Sequence, residues 1–464
     1  MSASTLASVC LPVLGREVRA PLVTGGDAEY AALDYAASAP ALQRVWDDVA
    51  AYAPYYGSVH RGAGYLSQLS TELFESSRAT VAGFLGCRPD DQVVFTRSTT
   101  DSLNLLATAL PPGTEVYVFE TEHHAALLPW QHTGSAAGRV TVLAAPGSPG
   151  QAVATLDSAL AARVGDGPAL VCVTGASNVT GELWPVRELT AAAHRHGARL
   201  VLDAAQLAPH HPVDVAELGV DWVAFSGHKL YAPFGAGVLA GRADWLRAAP
   251  PYLAGGGASR RVLRAEGGGV DVEWQTTPAR HEAGSPNVIG AYAIASACKA
   301  LAEAGFDALV ARERALVARV LDGLAALPGV RVLSLFGADA ARVGVISFVV
   351  DGWSSSHLAA ALSAEHGIGV RDGLFCAHPL VRALLGEAGE SAECGSGAGD
   401  AERPLNAVRV SFGAGTPDEH VDRFLAALGS LVRDGARWSY RTVDGRCVPA
   451  SGAAPAAGGP PAAA

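Results

Sequence analysis

Leu200-Val201-Leu202-Asp203-Ala204-Ala205-Gln206, followed shortly by Trp222-Val223-Ala224-Phe225-Ser226-Gly227-His228-Lys229, are the two stretches on which the reading of this chain turns. Each is a short apolar run that ends in an ionisable residue. Runs of this length suit strands buried on both faces. A charge at such a tip gives up hydration and needs a compensating partner. A desolvated lysine has a lowered pKa and forms Schiff bases readily. The alternative for Lys229 is a snorkelling surface lysine. Asp203 needs a partner too, and a pyridinium nitrogen is one: an ionised aspartate keeps the ring protonated and electron-withdrawing. Gln206 is placed to hydrogen-bond the phenolic oxygen of such a ring. A cap on the following helix is the other reading of Asp203.

Outward from these two tips the same rhythm continues. Val93–Phe95, Val116–Phe119, Val140–Leu143 and Leu170–Thr174 also read as short buried strands, and amphipathic stretches such as Val186–His196 separate several of them. Such alternation predicts a mainly parallel sheet covered on both faces, with ligands beyond the carboxyl ends of its strands. Phe95-Thr96-Arg97-Ser98-Thr99-Thr100-Asp101 places small hydroxyl residues between a strand and the apolar helix Leu103–Leu110. The free N–H groups at a helix start bind phosphate, and Thr100 is also a candidate cap. In Glu122-His123-His124, after Val116–Phe119, a flat imidazole is placed to stack on a cofactor ring. An amine, a carboxylate, a phosphate cup and a stacking ring together describe pyridoxal 5′-phosphate.

Composition sets the bounds. With 464 residues, the chain suits two packed domains. Its 49% hydrophobic content supports a large core, and a net charge of −11 argues against nucleic acid or an anionic membrane as partner. No apolar run is long enough to span a bilayer. The seven cysteines are scattered without a CxxC pair, which speaks against a disulfide framework or a metal site and fits a reducing, cytoplasmic setting. The expected organisation is an N-terminal arm (1–27), a large domain (28–305) and a small α+β domain (306–440). A mobile loop is expected at 386–400, rich in Gly, Ser, Ala and Glu, and a disordered tail at 441–464.

The ordered set of motifs resembles the class V aminotransferase-fold enzymes of the cysteine desulfurase and selenocysteine lyase branch. It comprises Leu33-Asp34-Tyr35-Ala36-Ala37-Ser38, His60-Arg61-Gly62, Thr96-Arg97-Ser98-Thr99-Thr100, Glu122-His123-His124, Ser177-Asn178-Val179-Thr180-Gly181, Asp203-Ala204-Ala205-Gln206, Ser226-Gly227-His228-Lys229 and Ala283-Gly284-Ser285-Pro286-Asn287. The resemblance implies the pyridoxal-phosphate-dependent transferase fold of aspartate aminotransferase type. It implies that Lys229 holds the cofactor as a Schiff base and shuttles the proton. Asp203 pairs with the ring nitrogen, Gln206 with the phenolic oxygen, and His123 stacks on the ring. Thr99, Thr100, Ser226 and His228 hold the phosphate. Ser285 resembles a position that reaches the phosphate from a neighbouring subunit, so a homodimer is implied. Asn178 approaches the cofactor or the substrate carboxylate.

Arg409, inside the strand-like Val408–Phe412, needs an anion, and an amino acid's carboxylate offers a bidentate match. The alternative is a structural ion pair. Cys376, in Gly369-Val370-Arg371-Asp372-Gly373-Leu374-Phe375-Cys376-Ala377-His378-Pro379, falls at the desulfurase nucleophile's position. Two departures stand out: Leu374-Phe375 replaces the histidine pair usual before that cysteine, and residues 386–400 lengthen the path to Arg409. Arg371 would lower the Cys376 thiol pKa, whereas Leu374 and Phe375 would raise it. Cys394 lacks a fixed cation and is not expected to be the essential thiol. The implied activity converts L-cysteine to L-alanine with sulfur passed to Cys376 and then to a protein acceptor. The alternatives are a transaminase, epimerase or C–S lyase on the same cofactor, and a non-enzymatic binding module on this fold.

Overall fold

A computed structural model of the protein describes residues 9–60, 62–132, 134–386 and 406–450. Seven strands form the central sheet: β1 (Asp91–Thr96), β2 (Thr114–Phe119), β3 (Ala137–Leu143), β4 (Ala169–Thr174), β5 (Arg199–Asp203), β6 (Trp222–Ser226) and β7 (Gly237–Arg242). Their order is β1-β7-β6-β5-β4-β2-β3. β3, β2, β4, β5 and β6 pair in parallel, whereas β7 runs antiparallel between β6 and β1. Val171, Val173, Leu200 and Leu202 pack into one apolar core, and Cys172, Val201, Trp222 and Ala224 into another on the opposite face. A sheet covered on both faces requires such doubly apolar strands. This is the mixed α/β architecture that the strand–helix alternation predicts.

β7 is absent from the sequence reading. Gly-Val-Leu-Ala-Gly-Arg carries a glycine at its start for a steric reason: a Cβ on Gly237 would sit 2.6 Å from Ser98 Cα. The missing side chain lets β7 lie against the loop that opens the helix Thr99–Ala109.

A second, four-stranded antiparallel sheet follows, with β8 (Val330–Val332), β9 (Val345–Val350), β10 (Arg371–Gly373) and β11 (Ala407–Ser411) in the order β8-β9-β11-β10. The helices Phe306–Ala325, Ser355–His366 and Asp418–Asp434 supply residues to its apolar core. Ala31 and Leu33 belong to that core as well, because Ala31–Ala32 pairs in parallel with Ile368–Gly369. The N-terminal segment thus crosses onto the C-terminal unit before the large sheet begins.

Two further stretches, one in the N-terminal arm and one near the C-terminal end of the described residues, pair as hairpins. In the arm, Arg19–Pro21 forms a hairpin with Asp27–Glu29, and the Val23 N–H between them donates to the Ala364 carbonyl at 2.9 Å. Residues 441–449, assigned by composition to a disordered tail, belong to a hairpin of Tyr440–Val443 with Arg446–Pro449. Its turn is Asp444-Gly445, at φ 50° and 72°, the two left-handed positions that a two-residue hairpin loop demands. The hairpin is anchored on the buried carboxylate of Glu365, which accepts from Arg437 N–H (2.9 Å), Trp438 N–H (3.1 Å) and Tyr440 O–H (2.9 Å). Glu365→Ala leaves three donors unpaired and is expected to cost about 2 kcal/mol, read as a lowered denaturant midpoint.

Cys447 in this hairpin is disulfide-bonded, whereas Cys10, Cys87, Cys172, Cys298 and Cys376 are free. The scattered spacing speaks against a disulfide framework, and Cys447 is the single disulfide-bonded cysteine among the described residues. The expected mobile loop (386–400), apart from Gly386 and including Cys394, lies outside the described residues, as does the tail from residue 451. Among the described residues no helix is long and apolar enough to cross a membrane.

Candidate active site

β5 and β6 end side by side, with Asp203 in register with Ala224, so the tip of β5 and the turn after β6 share one end of the sheet. A cavity of about 240 Å³ opens there. Asp203, Gln206, Ser226, His228, Lys229, Thr99, Thr100, His123, Asn178, Cys376 and Arg409 all line it. Ser285 does not; it is exposed and lies outside the cavity wall. Among the described residues no His, Cys, Asp or Glu cluster has the makings of a metal site.

Asp203 is buried, and burial pushes its carboxyl above the usual carboxylate range, against the pull of the Ala205 N–H and of Lys229. One carboxylate oxygen accepts from that N–H at 2.9 Å, and no other donor to Asp203 is present among the described residues. Lys229 is half-buried, and desolvation pulls its amine from 10.5 down to about 8, with Asp203 working in the opposite direction. Gln206 Nε2 spends one hydrogen on the Ala36 carbonyl at 2.8 Å, which holds the amide beside the cavity.

The helix Thr99–Ala109 points its first turn into the same space. Ser98, not Thr100, is its cap: the Ser98 hydroxyl accepts from the Asp101 N–H, and Thr100 already lies inside the first turn. Ser226 ties this turn to the end of β6, accepting from Thr99 N–H at 2.8 Å and lying 2.7 Å from Thr99 Oγ1. Two hydroxyls and a helix start therefore converge, the usual provision for a phosphate. His228 stands beyond them with Nδ1 at 3.3 Å from Ser38 Oγ, its pKa lowered by burial and by Lys229.

His123 Nδ1 accepts from the Ala125 N–H at 3.0 Å, which places the ring's proton on Nε2. Burial, then Lys229, lowers its pKa to about 3, so the ring is a neutral, flat face at physiological pH. Beside it, the fully buried Glu122 has its pKa driven up by desolvation, and its carboxylate accepts from Thr174 N–H at 3.1 Å.

At the far side of the cavity Arg409 is buried, and its pKa is lowered by desolvation although Asp34 counteracts this. Its Nη2 donates to Asp34 Oδ1 at 3.0 Å and its Nη1 to the Asn178 carbonyl at 2.9 Å, whereas Nε has no partner among the described residues. The sequence offered no sign that Asp34 would be its ion-pair partner, since 375 positions separate the two. Asn178, expected at the cofactor or carboxylate, lines the cavity and gives its side-chain N–H to the Phe375 carbonyl at 2.8 Å.

Cys376 is exposed at the cavity wall. It and Phe375 have φ of 53° and 52°, a left-handed pair without glycine that costs on the order of 1 kcal/mol per residue. Bonds on both sides hold it: Asn178 to the Phe375 carbonyl, and His124 N–H to the Cys376 carbonyl at 2.8 Å. Arg371 and Phe375 also line the cavity, and sequence reasoning assigned neither to its wall.

The family model "Aminotransferase class-V" matches residues 31–424. A cysteine desulfurase from Enterobacter sp. is 37% identical over 80% of this chain and 88% of its own length. A probable cysteine desulfurase from Mycolicibacterium paratuberculosis is 35% identical over 83% of this chain. The chain spans about half of that longer protein (53%) and 59% of a probable cysteine desulfurase from Mycobacterium leprae. Among solved structures, the apo cysteine desulfurase from Thermococcus onnurineus superposes with a TM-score of 0.75 at 31% identity, covering 87% of this chain and 95% of that one. One from Escherichia coli gives 0.71 at 31% identity, with 86% and 94% covered. On matches of this extent, the chain belongs to the class-V aminotransferase family, among relatives named cysteine desulfurases.

Proposed function

We propose that the protein is a pyridoxal 5′-phosphate-dependent cysteine desulfurase that converts L-cysteine to L-alanine and receives the sulfur on Cys376. The observation that carries this reading is the meeting of Lys229, Asp203, Arg409 and Cys376 around one cavity. The residues fit the cofactor. Asp203 has acceptor capacity left for a protonated ring nitrogen, Gln206 retains an N–H for a phenolic oxygen, and His123 presents a flat neutral face. Thr99, Thr100, Ser226 and His228 surround the place a phosphate would take.

When bound, the cofactor supplies an aldehyde carbon for amines and a ring that withdraws electrons from the substrate's α-carbon. Asp203 keeps the proton on the ring nitrogen. Arg409 orients the amino acid by its carboxylate. Lys229 Nζ, whose pKa of about 8 leaves part of it unprotonated near neutrality, takes the α-proton. Cys376, as thiolate, attacks the sulfur of the substrate. A new S–S bond forms, the substrate's Cβ–S bond breaks with its electron pair going to Cβ, and Cβ takes up a proton. L-Cysteine and the Cys376 thiol thus become L-alanine and a Cys376 persulfide, with no external oxidant. A protein thiol is the expected acceptor of that sulfur, and a cytoplasmic location suits the chemistry.

A panel of amino acids, scored together for alanine, sulfide and α-keto acid, tests the assignment. Alanine from cysteine supports it, and α-keto acid as the main product replaces it with transamination. The lowered Lys229 pKa gives a second test. Apoenzyme should bind the cofactor covalently at a rate that rises with the unprotonated amine, with a midpoint near pH 8 rather than the ordinary 10.5. Arg409→Lys, which loses the planar fork, is expected to raise KM for cysteine about 10- to 100-fold with a smaller change in kcat.

We infer a homodimer as well. Ser285 is exposed and outside this chain's cavity, free to serve a neighbour's. Trp46, Tyr55, Tyr56 and Tyr65 are large apolar side chains left exposed, at 46%, 47%, 53% and 70%. Light scattering at micromolar concentration should report twice the chain mass. A fully active monomer would contradict it.

A further inference from the structure

Phe375 makes three contacts that the proposed chemistry does not require. Its ring lies with its centroid 4.9 Å from Arg409 Cζ. Its carbonyl accepts from Asn178 Nδ2 at 2.8 Å, and the Asn178 carbonyl in turn accepts from Arg409 Nη1 at 2.9 Å. Arg409, Asn178 and Phe375 therefore form a closed circuit. One peptide bond separates Phe375 from Cys376, and both residues are held in the left-handed region, at φ 52° and 53°. Phe375 is buried and belongs to an apolar cluster that also contains Val179, Ala377 and Leu380. The thiol-bearing residue thus hangs on a ring whose seat is the guanidinium.

We propose that Phe375 is a positioning residue that couples Arg409 to Cys376: a carboxylate arriving at the guanidinium loosens the ring from it, the left-handed pair relaxes, and the thiol becomes more reactive. This rests on the reading of Arg409 as the carboxylate site and Cys376 as the nucleophile. It makes sulfur attack conditional on a correctly seated amino acid, and it spares the idle thiol from other electrophiles.

The sign of the effect separates the coupling from simple electrostatics. Lys229 and Arg409 both interact electrostatically with Cys376, Arg371 and His123 line the same cavity, and Asp34 sits on Arg409. A new carboxylate among these groups adds negative charge, which by Coulomb's law alone disfavours the thiolate and slows the thiol. Faster reaction requires movement.

The experiment is alkylation of the holoenzyme by iodoacetamide at fixed pH, read by mass spectrometry on the peptide that contains Cys376, so that other free cysteines do not contribute. Propionate, a carboxylate with no amine to engage the cofactor, is the probe, and propionamide is its uncharged control. Propionate is expected to speed labelling of the wild-type protein about threefold or more, propionamide to have no effect, and Phe375→Leu to remove the response. Phe375→Tyr keeps a ring on the guanidinium and should restore it, which guards against a Phe375→Leu loop that has merely collapsed. Slower or unchanged wild-type labelling, at propionate concentrations that compete with cysteine, overturns the coupling. So does an undiminished response in Phe375→Leu. If propionate competes equally well in Arg409→Lys, the carboxylate site itself has been misplaced, a failure distinct from that of the coupling.

Discussion

Cys376→Ser is expected to bind the cofactor and cysteine normally and yet to lose alanine production by about 1000-fold. Serine keeps the shape and the left-handed loop but offers a hydroxyl, which at neutral pH supplies almost no anion to attack sulfur. The loop geometry does not depend on the thiol, because Asn178 and His124 hold it through backbone carbonyls. The variant should therefore show the wild-type absorbance change on adding cysteine, followed by no turnover. After one turnover of the wild-type protein, mass spectrometry should find one additional sulfur on the peptide containing Cys376. Near-normal turnover by Cys376→Ser would remove sulfur transfer from the mechanism and leave a transaminase or lyase in its place. Cys394→Ser is expected to leave most of the activity intact.

Lys229→Ala should be the other variant of very large effect, with a loss of about 10³-fold or more, since it removes both the covalent tether and the base. Its cofactor should remain partly bound through the phosphate cup but be released on denaturation, with or without prior borohydride treatment. In the wild-type protein, borohydride should fix the cofactor to the peptide that spans position 229. A borohydride-stable adduct on that peptide in Lys229→Ala would refute the assignment. The neighbouring carboxylate gives an independent check. Asp203→Asn leaves the covalent link possible but no longer holds the ring proton, so binding should persist while turnover falls.

What could be read from the sequence was what stands out locally. Asp203 and Lys229 are conspicuous because a charge at the end of an apolar strand violates the ordinary rule of burial, and one end of the sheet brings the two tips together. The hydroxyl cluster from Ser98 to Thr100 was legible for the same reason, although the cap belonged to Ser98. What could not be read was contact between distant positions. Asp34 meets Arg409 across 375 positions and Asn178 meets Phe375 across 197, and no local pattern encodes either bond. Phe375 itself read as an apolar intruder beside a thiol, and only its place on the guanidinium gives it a purpose. The hairpin at 440–449 is a different kind of miss: its Asp444-Gly445 turn is a recognisable signal, but the Ala/Pro/Gly bias that follows it masked the short strands.

The Glu365 anchorage has a further consequence. The helix Ser355–His366 receives the Val23 N–H at Ala364 and, one residue on, the donors of Arg437, Trp438 and Tyr440 at Glu365. Segments from near the two extremes of the chain therefore rest on adjacent residues of a single helix turn. Native-state hydrogen exchange should find the amides of Val23, Arg437 and Trp438 opening together as one cooperative unit, with a common free energy that drops in concert when Glu365 is replaced. Fraying at either extremity would then be a shared event, damped by whichever segment remains docked.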